Sequence, residues 1–223
     1  MPSSLPPAPD AHSCAQLAPR PALLGKAHDP FLARLPAGAH LLEAGCGAGE
    51  DLHYFREQGF VVTAFDASLS QARAASRLCG QPVRVCRFEQ MHNVLPFDGI
   101  WASGSLPCLA EAELAPALAH LAGLLKPQGP LYCSFPYDEG EPGGTLPASP
   151  AEYPLQTRLD EARLQQLIAP LPFGLHQSWY SEDAVQGRWL HALLIRLPDL
   201  APTINQYRRR RFKGGIARDS SSS

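Results

Sequence analysis

The stretch that decides the fold is HLLEAGCGAGEDL, which runs from His40 to Leu52. It begins as an apolar run that ends in the acid Glu43, and three glycines then follow at alternate positions. The next residues, EDLHYFREQG, place acids in a first helical turn and Gly59 where a helix would end. This order predicts a strand, a glycine loop and a helix.

Strand-like and helix-like segments alternate after this loop. FVVTAFD predicts a buried second strand, and SLSQARAASRLCG predicts a helix with Ser68 as N-cap and Gly80 as stop. PVRVCRF, FDGIWASGS and PLYCSFPY predict three more strands. The leucine spacing in AEAELAPALAHLAGLLKPQG predicts a helix, in which Pro116 is tolerated if it lies in the first turn.

The last segments predict a short helix, LDEARLQQLIAP, and a hairpin formed by GLHQSWYSED and GRWLHALLIRL. Alternating strands and helices predict an α/β fold, with a mostly parallel, doubly wound sheet, helices on both faces and one antiparallel strand added by the hairpin. Ligands of such sheets bind at the carboxyl ends of the strands. The glycine loop therefore lies where a ligand is expected.

The two ends of the chain differ from its middle. Residues 1–30 contain seven of the 23 prolines, and we predict a disordered leader over 1–27, one domain over 28–200 and a disordered tail over 201–223. The tail carries a net +5, against −2 for the whole chain. A solvated tail is the simpler interpretation, and nucleic-acid contact through its arginines is the alternative.

Composition excludes several classes of protein. No apolar stretch resembles a signal peptide or a membrane helix, so we predict a cytoplasmic protein. The six cysteines form no CxxC pair and have no histidine at zinc-finger spacing, so we predict reduced thiols and no metal site. The sequence does not indicate an oligomeric state.

The spacing of the glycines restricts the ligand. In a dinucleotide fingerprint the third glycine would stand at Glu50, and no Gly-Lys-Ser/Thr follows as in a P-loop. Glu50 and Asp51 would also repel a pyrophosphate from the helix N-terminus. Asp66 stands 21 residues beyond Gly45, a distance equally compatible with a ribose-binding acid in a dinucleotide fold, so the spacing of the glycines and not Asp66 discriminates between the ligands. A ligand with a ribose and an amino group, but no phosphate, fits these charges.

LLEAGCGAGEDL and VVTAFDAS resemble the first two motifs of class I S-adenosylmethionine-dependent methyltransferases. The resemblance implies a Rossmann-like, seven-stranded sheet, and a glycine loop against the methionine and ribose of the cofactor. It places Glu43 near the cofactor's amino group and Asp66 at the ribose hydroxyls. The implied cofactor-binding residues are Glu43, Gly45, Cys46, Gly47, Gly49, Asp66, Ala67, Gln90, Met91 and Ser103.

Later segments extend the resemblance over about His28 to Leu197. RFEQMHNVLPFDGIWASGSL resembles the adenine-contacting turn and fourth strand of that family, which implies Gln90 and Met91 beside the adenine and Ser103 near the transferred methyl. SFPYDEGE, LDEARLQQL and SEDAVQGRWLHALL are similar to small bacterial tellurite-resistance-like methyltransferases, which act on small molecules. SGSL stands where an NPPY-like tetrapeptide would indicate methylation of nucleic-acid bases.

Two departures from the family pattern concern closure and chemistry. Relatives carry a tyrosine in an N-terminal helix that closes over the cofactor, but this chain has CAQLAPRPALLGKAHDP there and no tyrosine before Tyr54. Cys108 stands where relatives often have histidine, so no catalytic residue is assigned. We predict a methyltransferase acting on a small molecule. The alternatives are an NAD(P)-dependent oxidoreductase and a non-catalytic S-adenosylmethionine-binding protein.

Overall fold

The strands of the computed structural model form one seven-stranded sheet in the order β3-β2-β1-β4-β5-β7-β6. The structure describes residues 24–137, 155–183 and 187–199. The strands are β1 His40–Ala44, β2 Val61–Asp66, β3 Arg84–Val85, β4 Gly99–Ala102, β5 Pro130–Pro136, β6 Phe173–Asp183 and β7 Gly187–Arg196. The helices are α1 Leu24–Leu32, α2 Glu50–Glu57, α3 Leu69–Cys79, α4 Glu111–Leu124 and α5 Glu161–Ile168.

Strands β1 to β5 are parallel where they pair, and β7 alone runs antiparallel to its neighbours β5 and β6. The predicted fold class and the terminal hairpin are therefore confirmed. The strand order reverses between β1 and β4, and ligands of open α/β sheets bind at such a reversal.

Helices cover both faces because residues along each strand alternate in direction. Leu42 packs with the inner side of α4 and α5, whereas Leu41 packs with α1, α2 and α3 on the other face. The capping predictions for α3 are also confirmed: the Ser68 hydroxyl accepts from the Gln71 N–H, and the helix ends at Gly80 in a left-handed conformation.

Two local expectations are wrong. The third strand contains only Arg84 and Val85, because the chain leaves the sheet edge and forms a 3-10 turn at Phe88–Gln90. Pro116 lies in the second turn of α4, not the first. The helix continues through it, and the leucines of its inner face stay fully buried: Leu114, Leu118 and Leu121.

Helix α1 begins at Leu24, before the domain boundary expected at residue 28. Its residues Ala27 and Phe31 are buried, and the helix packs on β5 and β7. Residues 1–23 and 200–223, which contain most of the expected leader and all of the expected tail, lie outside the described residues. No helix in the described ranges combines the length and apolar character of a membrane span.

The cysteines divide into two kinds. Cys46, Cys79, Cys86 and Cys133 are free, as expected of reduced thiols. Cys108 is disulfide-bonded, so that expectation is wrong for this residue.

Candidate functional site

The glycine loop follows β1 and has positive φ angles at Gly45, Gly47 and Gly49 (74°, 56° and 92°). Glycine is required for space as well. A Cβ at Gly45 would lie 2.5 Å from the Cβ of Ser105, and one at Gly49 would lie 2.7 Å from the Cβ of Ala75. The loop is therefore packed between the segment after β4 and helix α3, with its backbone close to both.

Asp66, at the end of β2, holds this loop in place. Its carboxylate accepts from the Gly47 N–H at 2.9 Å and from the Ser68 N–H at 2.8 Å. Burial raises the pKa of Asp66, and the same two hydrogen bonds oppose that rise. Asp66 thus connects the loops that follow β1 and β2. It also lines the adjacent cavity.

A cavity of about 270 Å³ opens at the carboxyl ends of β1 and β2, where the topology predicts a ligand. Helix α4 and the segment after β4 form its far wall. The lining residues are Gly45, Phe65, Asp66, Ala67, Cys86, Arg87, Phe88, Glu89, Ser105, Cys108, Leu109, Ala112, Glu113, Pro116 and Ala117.

Glu43 is the most unusual ionisable group near the loop. Its side chain is 3% exposed, and its Oε2 has no hydrogen-bond partner among the described residues. Burial raises the pKa of Glu43 well above its ordinary value, and the charges of Asp51 and Asp66 raise it further. A cation bound beside Glu43 would compensate all three acids.

The family resemblance also implies two small residues in the loops after β1 and β2, Cys46 and Ala67. Ala67 lines the cavity. Cys46 is buried, and both burial and the charge of Glu43 raise the pKa of its thiol, so Cys46 is not a reactive nucleophile at neutral pH.

The turn after β3 presents side chains to the cavity that the family resemblance did not single out. Phe88, Arg87 and Glu89 line it. Gln90 is exposed and its side-chain oxygen accepts from the Arg87 N–H, whereas Met91 is buried in the core. The 3-10 geometry of this turn therefore decides which of its side chains face the cavity.

The segment after β4 also approaches the loop. The Ser105 hydroxyl donates to the Ala44 carbonyl at 2.6 Å. Ser103 is half-buried beside Gly104, whose N–H donates to the Ser134 hydroxyl on β5. Sequence reasoning missed Ser105 and the wall formed by α4, because leucine spacing reports a core-facing side and not which small residues border a cavity.

Helix α1 brings a histidine to the first turn of α2. The Nε2 of His28 lies 3.2 Å from Asp51 Oδ1, and the Trp101 Nε1–H donates to Asp51 Oδ2 at 2.7 Å. The His28 ring stacks on Tyr54 with centroids 4.2 Å apart. No signal in the sequence singled out His28, since its neighbours belong to segments far along the chain.

A family model described as a methyltransferase domain matches residues 17–192. No curated protein matches the chain. The chain is similar to a solved structure of the 1,6-didemethyltoxoflavin-N1-methyltransferase of Burkholderia thailandensis, bound to 1,6-didemethyltoxoflavin and S-adenosylhomocysteine. The two are 26% identical with a TM-score of 0.66, over 78% of this chain and 77% of that chain.

Two further solved structures share the fold. A TehB-like S-adenosylmethionine-dependent methyltransferase of Corynebacterium glutamicum is 21% identical, with a TM-score of 0.57 over 74% of this chain and 83% of that one. A [4+2]-cyclase is 16% identical, with a TM-score of 0.64 over 84% of this chain and 87% of that one.

Proposed function

The chain belongs to the methyltransferase-domain family, and from that premise we propose that it transfers the methyl group of S-adenosylmethionine to a small-molecule acceptor. The buried carboxyl of Glu43 carries this proposal. Its unpartnered Oε2 lies beside a glycine loop, in a cluster of three acids. The donor supplies a positively charged ammonium group that fits there, and a pyrophosphate does not.

The donor's other parts are assigned by the same reasoning. The backbone at Gly45, Gly47 and Gly49 takes the methionine and ribose, and Asp66 and Ala67 border the ribose. Phe88 offers a ring face for the adenine, with Gln90 and Met91 shaping that turn from outside and inside. Cys46 supports the loop from below, and Ser103 stands near the methyl group.

The chemistry requires alignment more than acid–base groups. The sulfonium donor carries an activated methyl group, so an acceptor held in line with it reacts by displacement. The residues of this chain bind the donor and the acceptor, orient them and exclude water from the site. Well-held reactants correspond to effective molarities of about 10⁵–10⁸ M, which accounts for a large share of the rate.

The similarity to the Burkholderia enzyme supports a small-molecule acceptor, since that enzyme is solved with 1,6-didemethyltoxoflavin bound.

The experiment that tests the proposal is thermal unfolding with S-adenosylhomocysteine and, separately, with NAD⁺ or NADP⁺. We expect S-adenosylhomocysteine alone to raise the unfolding midpoint. Stabilisation by a nicotinamide nucleotide without any by S-adenosylhomocysteine would instead establish the oxidoreductase alternative.

Binding alone does not establish transfer, because the same fold occurs in a [4+2]-cyclase. Incubation of the protein with isotope-labelled S-adenosylmethionine and a panel of heteroaromatic amines, phenols and thiols distinguishes methyl transfer from binding without transfer. We expect label in at least one acceptor. Tight binding of the donor without transfer to any of them would favour the non-catalytic alternative.

A further inference from the structure

Three polar side chains of the last three strands of the sheet form a hydrogen-bonded row. His191 of β7 is buried; its Nδ1 lies 2.7 Å from the Tyr132 hydroxyl on β5, and its Nε2 lies 2.7 Å from the Ser181 hydroxyl on β6. Tyr132 is fully buried and Ser181 is half-buried, so the row leads from the core toward the surface. A hydroxyl, an imidazole and a group that orients the imidazole are the parts of a proton-transfer site.

The row lies beside the place where we put the transferred methyl group. His191 pairs with Ser134 near the carboxyl end of β5, and the Ser134 hydroxyl accepts from the Gly104 N–H at 2.9 Å. Gly104 stands between Ser103, which the proposed function puts near the methyl group, and Ser105, which lines the cavity. The segment after β4 therefore connects the cavity with the strand that precedes the imidazole in the sheet.

The neighbours of His191 suit both protonation states of its ring. In the neutral tautomer with the proton on Nδ1, Nε2 accepts from the Ser181 hydroxyl. In the imidazolium both nitrogens donate, and both hydroxyl oxygens can accept. Trp179 lies parallel to the imidazole with centroids 5.4 Å apart, and the face of an indole attracts a cation. The ring can therefore gain a proton while it keeps both hydrogen bonds.

We propose that His191, acting through Ser181, takes the proton of the methyl acceptor, so that the acceptor is a molecule whose methylated oxygen or nitrogen carries a hydrogen. The inference rests on the proposed function and names the class of acceptor. A base assists transfer when the acceptor arrives protonated, as phenols and heterocyclic N–H compounds do. Tyr132 is a positioning residue, because its hydroxyl fixes the imidazole through Nδ1.

The step balances in atoms and charge. A lone pair of the acceptor atom forms the bond to the methyl carbon, and the bond between that carbon and sulfur breaks with its electron pair going to sulfur. The acceptor's proton passes to Ser181 Oγ as the proton of that hydroxyl passes to His191 Nε2. The products are the methylated acceptor, S-adenosylhomocysteine and an imidazolium, which then releases its proton to solvent.

The test measures methyl transfer to probes of different acidity. Phenols and fused azoles of graded acidity are the protic probes, and thiophenol, which ionises readily, is the probe that needs no base. Ser181→Ala removes the hydroxyl, and His191→Gln removes the imidazole. We expect each to lower kcat by about 100-fold or more with the least acidic probes, and to leave thiophenol within about threefold of wild type.

Tyr132→Phe separates positioning from packing, since it removes the hydroxyl and keeps the ring that stacks on Trp101. We expect a smaller loss of kcat than in the other two variants, again greatest with the least acidic probes, and an unchanged KM. All three variants should bind S-adenosylhomocysteine with wild-type affinity in calorimetry. If His191→Gln does not fold, Ser181→Ala decides the question.

Ser178→Ala is the matched control. Ser178 lies on the other face of β6, opposite Ala192, and its hydroxyl donates to Glu161. It should change no rate.

Equal loss with protic probes and thiophenol in the Ser181 and His191 variants would show a packing role and overturn the inference, as would no loss with either. Wild-type protein that binds S-adenosylhomocysteine but methylates none of the protic probes would overturn the inference alone. Wild-type protein that does not bind S-adenosylhomocysteine would overturn the proposed function itself.

Discussion

At the scale of single residues, Glu43 links the fold to its proposed chemistry. Between the ordinary glutamate pKa and the raised pKa of Glu43, the folded state holds a proton that the unfolded chain has lost. The folded state therefore loses stability as pH rises through that range. A bound cation reverses the effect, because it favours the ionised form. Donor affinity should therefore rise with pH across the same window.

Glu43→Gln tests this coupling. The amide cannot ionise, so we expect the variant to bind S-adenosylhomocysteine at least about tenfold more weakly and to lose the pH dependence of binding. Titrations across the pH range above the ordinary glutamate pKa measure both. Glu57→Gln, on the exposed outer side of α2, is the control and should behave as wild type. A Glu43→Gln variant with the wild-type pH profile would contradict the assignment.

Asp66→Asn should act differently from changes at Glu43. The Gly47 and Ser68 N–H groups donate to the two carboxylate oxygens of Asp66, and the amide of asparagine would place its NH₂ group against one of these donors. We therefore expect a loss of about 1–3 kcal/mol in the free energy of unfolding. Loss of the ribose contact should weaken S-adenosylhomocysteine and 5′-methylthioadenosine alike. Unchanged affinity for both would remove Asp66 from the proposed donor site.

At the scale of secondary-structure elements, the conformation of the loop between β1 and α2 depends on its close packing against α3. Gly49 is left-handed at the start of α2, and the nearest neighbour of an added Cβ is Ala75 on α3. A local conformational requirement and a long-range contact therefore meet at one residue.

Gly49→Ala should destabilise the protein by about 2 kcal/mol or more, since it combines an unfavourable φ with overpacking. Urea unfolding measures this. Gly123→Ala, at an open position in α4, is the opposite control and should stabilise by about 0.5–1 kcal/mol. Adding Ala75→Gly to Gly49→Ala should recover part of the loss. Full stability of Gly49→Ala alone would show that the loop adapts freely.

At the scale of the whole molecule, charge is distributed unevenly along the chain. Residues 205–223 carry a net +5, and the remainder therefore carries −7. The core and the residues of the proposed donor site lie within residues 24–199. The leader, the domain boundaries, the tail and the cytoplasmic location all stay predictions.

Deletion of residues 205–223 should leave the unfolding midpoint and the affinity for S-adenosylhomocysteine unchanged, because no residue of the proposed site belongs to this segment. Calorimetry and thermal unfolding check both. The deletion also tests the alternative of nucleic-acid contact in low salt, where charge-driven binding is strongest. If single-stranded RNA binds equally well with and without the segment, the tail does not contact RNA.

Local patterns determined much of the fold. The alternation of strands and helices, the caps at Ser68 and Gly80 and the place of the glycine loop follow from periodicity and glycine conformation, which depend on neighbouring residues. The spacing of the glycines and acids also indicated the class of donor. These features could be predicted because each is contained in a short segment.

Only the tertiary structure decided which side chains meet at the site. The two-residue β3, the turn that directs Phe88 inward and the placement of Pro116 on the cavity wall depend on packing against other elements. His28 and Trp101 both bond to Asp51 across long separations in sequence. No local pattern encodes such contacts, because they arise when the sheet brings distant segments together.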